Sequence, residues 1–159
     1  MFPYVATGLA GLNLLLAILG MALNWAQVST PWGTTGSNLW VGIDNAQFNA
    51  TKAFLVLAFV ASFATVLLCA GAVMKKVSWV GALGGNVATA VFALISFACY
   101  AGLDVVASYG PGFGCIIAVF VVGLAGAGVC MMAHKNTVAT PAPPASHNNA
   151  AGGPALNKV

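Results

Sequence analysis

Arginine and glutamate are absent from this chain of 159 residues, and five lysines and two aspartates carry all of its fixed charge. Only 4% of the residues are charged, against about 25% in an ordinary globular domain, so the surface cannot be dressed for water and a soluble fold is excluded. The bilayer is the implied solvent. The same scarcity removes chemistry. No acid, lysine or arginine interrupts the long apolar runs to relay protons or pair with an ion, which argues against a pump or proton-coupled carrier. General acid–base or nucleophilic catalysis needs an activated group with a partner in reach, and that inventory is nearly empty. The chain is therefore read as non-enzymatic, with no catalytic residue and no cofactor. His134 follows Cys130 on one helix face, but a closed zinc site needs four ligands and no second pair stands near, so no metal is assigned. The lysines are too scattered for the clustered basic face that nucleic acid requires. The expected partners are the lipid bilayer and other membrane proteins or a second copy of the chain.

What the sequence does have is four apolar runs, Tyr4–Leu23, Ala53–Met74, Val80–Leu103 and Cys115–Ala133. A membrane helix needs about 20 residues to cross about 30 Å of hydrocarbon, and lipid offers no partner to a bare amide, so each run is predicted to be a spanning helix. The first run has no basic leader and no clear cleavage site, and is read as a retained helix. The fold class is thus an all-α integral membrane protein, a four-helix bundle over residues 1–134. Outer loops are expected at 24–52 and 104–114, with a disordered cytoplasmic tail over 135–159, rich in Pro, Ala, Asn and Gly. Lys75, Lys76 and Lys135 follow helix ends on one side, so both termini are expected in the cytoplasm, with the plasma membrane as the location. Asn49, Ala50 and Thr51 form an N-glycosylation acceptor that this reading puts in the first outer loop.

Within the runs the costliest polar side chains are Asn13 and Asn86, expected to face the bundle and hydrogen-bond across helices. Glycines, Gly81 and Gly85 among them, are read as close-packing positions inside the bundle, with a dimer face as the alternative. The four cysteines, Cys69, Cys99, Cys115 and Cys130, are read as free buried thiols, the alternatives being acylation of Cys69 and Cys130 or a Cys99–Cys115 bridge. Aromatics gather at the other rim: Trp25, Trp32, Trp40, Tyr109 and Phe113. Trp32 and Trp40 lie inside a loop of turn residues, and Leu39–Ile43 reads as a short strand able to dock a partner. Trp32, Trp40, Tyr109 and Phe113 are the candidate contact residues.

Trp25 at the end of the first run, then Asn38, Leu39 and Trp40, resemble the loop motif of the claudin and peripheral myelin protein superfamily. The stretch Ser108-Tyr109-Gly110-Pro111-Gly112-Phe113, running into the last helix, is similar to the corresponding segment of the peripheral myelin branch and of amastins. The loop lacks the cysteine pair of claudins and the cysteine that amastins place before their Leu-Trp-Gly, so the likeness is to a divergent member or is convergent. The resemblance implies a left-handed four-helix bundle with a small outer β-sheet, in which Trp25, Leu39 and Trp40 are the structural motif. It also implies a role in adhesion, membrane organisation or lateral protein contacts. Two other classes stay open: a small accessory subunit of a larger membrane complex, and a channel for a neutral solute lined by Asn13 and Asn86.

Overall fold

The computed structural model describes residues 1–40, 46–102 and 109–138. Along the chain run α1 (Phe2–Ala22), β1 (Asn24–Thr30), β2 (Gly33–Asn38), α2 (Ala46–Val73), α3 (Trp79–Ala101) and α4 (Pro111–Val138). All four helices are long and apolar enough to cross a membrane. They form a bundle in which α1 packs on α2 and α4, and α3 packs on the same two neighbours.

The sequence pattern explains the packing. Residues buried in α1 are Ala6, Ala10, Asn13, Ala17 and Gly20, alternating in steps of four and three. The same alternation runs through Thr51, Leu55, Ala58, Ser62, Thr65, Cys69 and Ala72 of α2, and recurs in the inward rows of α3 and α4. A repeat averaging 3.5 residues falls short of the 3.6 of a straight helix, and that mismatch favours left-handed knobs-into-holes packing. The buried row is made mostly of alanine, glycine, serine, threonine and cysteine, with a few larger residues such as Leu55, Tyr100, Ile116 and Val119, while leucine, valine and phenylalanine such as Leu15, Val60, Phe63 and Leu67 are exposed. Lipid rewards no burial of leucine, so association depends on close approach of small residues, and the arrangement is the reverse of a soluble core.

The helices depart from the apolar runs at their ends. At 28 residues each, α2 and α4 are about 42 Å long at 1.5 Å per residue, more than the hydrocarbon needs. Hydropathy marks only the lipid-crossing part; the helices continue into the interface. At the start of α2, Phe48 packs on Tyr100, centroids 6.0 Å apart, and Lys52 Nζ lies 5.3 Å from the Phe48 ring centroid. Asn49 consequently belongs to α2 and not to a loop, and Thr51 is buried. At the other end α4 runs on past Ala133, where Lys135 in the last turn suits the negative end of the helix dipole. Of the tail expected to be disordered, 139–159 lies outside the described residues, as does Asp104.

The turn between α2 and α3 closes α2 with a Schellman pattern: Lys76 N–H donates to Gly71 O at 2.9 Å and Lys75 N–H to Ala72 O at 3.0 Å. That pattern puts Lys75 in the left-handed region, φ 58°, where glycine is the usual occupant and a side chain costs about 1 kcal/mol. Ser78 then caps α3, its hydroxyl accepting from Val80 N–H.

Between α1 and α2 the chain makes an antiparallel hairpin, paired from Thr30↔Gly33 back to Asn24↔Asn38 with an irregularity at Trp25. Pro31 and Trp32 form its turn, and Gly33 follows at φ 135°, a backbone shape open to glycine. The strands thus lie earlier than the one expected at Leu39–Ile43: Leu39 and Trp40 are in a turn, and 41–45 lies outside the described residues.

Candidate functional site

Three groups of residues carry whatever specificity this fold has: the hairpin end, the polar seam inside the bundle, and the lysine end. At the hairpin end the governing problem is the end of α1. A helix leaves its last four carbonyls without intrahelical partners. Leu23 N–H takes Leu19 O at 2.9 Å. The next two are taken by tryptophans: Trp25 Nε1–H donates to Gly20 O, and Trp40 Nε1–H donates to Met21 O at 2.9 Å. The two tryptophans of the loop motif are therefore caps for α1.

Trp25 is fully buried, as is Leu39, and both belong to the core cluster with Tyr100, Ile116 and Leu55. The Trp25 ring stands edge-on to Tyr100 at 5.0 Å and to Phe113 at 6.1 Å, a favourable orientation for ring quadrupoles. Its position accounts for the glycines of the second motif. A Cβ on Gly112 would lie 2.7 Å from Trp25 Cδ1, and one on Gly110 would run into the carbonyl of Asn24. With that space open, Gly110 N–H donates to Trp25 O at 2.6 Å, and Tyr109 bridges antiparallel to Ala26 of β1. Pro111 starts α4, where its missing N–H removes one of the unpaired amides. Tyr109 stacks on Phe113, centroids 4.3 Å apart and planes 18° from parallel.

The expected contact residues separate accordingly. Trp32, at the hairpin turn, is 96% exposed, Tyr109 51% and Trp40 45%. Phe113 is the least open of the four, in the first turn of α4 and half-buried against the core cluster.

Inside the bundle, Asn13, Ser62, Thr65, Asn86, Thr89 and Ser96 are all buried. Most hydroxyls are satisfied within their own helix, Ser62 at Ala58 O, Thr65 at Ala61 O and Thr89 at Gly85 O, 2.7 to 2.9 Å. Ser96 Oγ reaches across to Thr51 O at 3.1 Å, tying α3 to α2. Both asparagines face the bundle as expected, and Asn86 bonds across helices. Asn86 Nδ2 donates to Ala82 O in its own helix at 3.0 Å and to Cys130 Sγ of α4 at 3.6 Å, and the oxygens of both Asn13 and Asn86 have no hydrogen-bond partner. Asn86 lies over Gly126, whose Cβ, if it had one, would sit 2.5 Å from Asn86 Oδ1.

All four cysteines are free. Cys69 and Cys130 are buried and belong to the same core cluster, a neighbourhood that depth along the runs alone does not reveal. Among the described residues no cluster of three or more metal-ligating side chains occurs. No protein-family model matches the chain, and no curated protein or solved structure matches it.

Proposed function

We propose that the chain is a non-enzymatic multi-pass protein of the plasma membrane that acts in membrane organisation, adhesion or lateral contact, with the hairpin and the Tyr109 segment on the outer face. The observation that carries this reading is Trp32. A large aromatic held almost wholly in the open at the tip of a hairpin, while the base of that hairpin is fixed by the buried Trp25 and Leu39, is an anchor presented at little entropic cost, the kind of side chain that dominates protein interfaces. Trp40, an equal candidate from sequence, is the weaker one because its indole is engaged on α1.

Two further features support the reading. Lys75, Lys76 and Lys135 stand at the end of the bundle away from the hairpin, which by the positive-inside rule supports a cytoplasmic side for that end and both termini. The Ala26↔Tyr109 bridge ties the two connections of the hairpin end together, the arrangement that a divergent claudin or peripheral myelin relative would have. A photo-reactive amino acid at position 32, irradiated in the native membrane, is expected to yield adducts with a second copy or another membrane protein. Adducts with lipid alone would overturn the proposal, making Trp32 an interfacial anchor.

A further inference from the structure

At the end away from the hairpin, the start of α1, the α2–α3 turn and the last turns of α4 enclose a cavity of about 730 Å³, within the range of ligand-binding pockets. Its walls combine two chemistries. Phe2, Pro3 and Trp79 supply apolar surface, and Lys75, Ser78 and His134 supply a cation, a hydroxyl and an imidazole. Lys76 and Lys135 add charge beside it in sequence, and no acid is among the described residues that line it. The fixed side-chain charge in its lining is therefore positive. Lys75 reaches this rim from a left-handed backbone position that glycine would occupy more comfortably.

We infer that this cavity is a binding site for the phosphate-bearing headgroup of an anionic phospholipid, with Lys75 as its principal charge. The inference rests on the helices spanning a membrane and not on the hairpin contact. Basic pockets between helices at the cytoplasmic interface suit such headgroups. The apolar walls select a lipid over a free anion: a soluble phosphate would have to give up its hydration against Phe2, Pro3 and Trp79, whereas a phospholipid brings a glycerol and chain ends to cover them. Ser78, whose oxygen already accepts from Val80 N–H, keeps its proton to donate to a phosphate oxygen.

The test is native mass spectrometry of the full chain in uncharged detergent, titrated with phosphatidylglycerol or phosphatidylcholine. One phosphatidylglycerol per chain is expected to be retained in preference to phosphatidylcholine. Lys75→Gln should weaken retention at least about fivefold, the factor one lysine contributes toward an anionic surface. Lys76→Gln removes the same charge from a side chain outside the cavity lining and should weaken retention clearly less. Lys75→Gly should lose the lipid while unfolding no more easily than the parent, which separates loss of binding from loss of fold. Equal retention of the two lipids, or equal damage from Lys75→Gln and Lys76→Gln, would overturn the site. Protection from unfolding by inorganic phosphate as strong as that by phosphatidylglycerol would overturn the lipid assignment in favour of a soluble anion.

Discussion

Trp25 and Trp40 donate to adjacent carbonyls of the same helix end, yet their burial makes them unequal. Trp25→Phe keeps most of the ring but strands Gly20 O in the core, where an unmet acceptor costs about 1–3 kcal/mol. Trp40→Phe exposes Met21 O to water that can replace the indole, so its loss should stay near or below about 1 kcal/mol. Unfolding by titration with a denaturing detergent, followed by circular dichroism, should rank parent, Trp40→Phe and Trp25→Phe in falling order of stability; the reverse ranking would show that the ring contacts, not the caps, hold this end. The chemical identity of these two residues was legible from their spacing. Their job was not, because a capping bond depends on where the chain turns after Leu23, and nothing in the residues from Asn24 to Trp40 states which carbonyl an indole will meet.

For the helices, existence was legible and extent was not. Four charge-free runs leave no other solution in lipid, but hydropathy falls silent at Gln47, Asn49 and Lys52 although the helix goes on. The hairpin was hidden for a related reason: Gly33–Asn38 is built of Gly, Thr, Ser and Asn, residues that read as turn, and it becomes a strand because Pro31 and Trp32 reverse the chain beside β1. The three-four alternation of small residues was present in every run and would have named the inward faces, including Cys69 and Cys130. The contact between α3 and α4 tests that packing. Gly126→Ala should drive a methyl into Asn86 Oδ1 and destabilise the bundle by about 1–3 kcal/mol. Asn86→Ala removes both the obstacle and an unpartnered acceptor, so the double variant should recover most of the loss in the same denaturation assay. Strict additivity of the two changes would mean that α3 and α4 do not meet there.

At the scale of the molecule, the two ends of the bundle are chemically opposed, one aromatic and built on a hairpin, the other cationic and built on a turn. The single crossing made by α2 puts the α2–α3 turn on the side opposite the hairpin. On intact cells a membrane-impermeant maleimide should therefore label Trp32→Cys, and should label Lys76→Cys only after permeabilisation. Labelling of both from one side would remove the crossing between them. The polar seam bears on the rival of a neutral-solute channel: Asn86 rests against Gly126 and Cys130 and Ser96 is tied to Thr51, each joining two helices, while Ser62, Thr65 and Thr89 turn back onto their own helices.

The last turn of α1 is finished by indoles that arrive later in the chain, one of them from beyond the hairpin. Heat or detergent cannot then peel the hairpin away and leave the helix whole, since both lose their closure in the same event. The amides of residues 19–38 should exchange with deuterium as one cooperative block, and that block would be the first place where a strain on the exposed tip at Trp32 is felt within the bilayer.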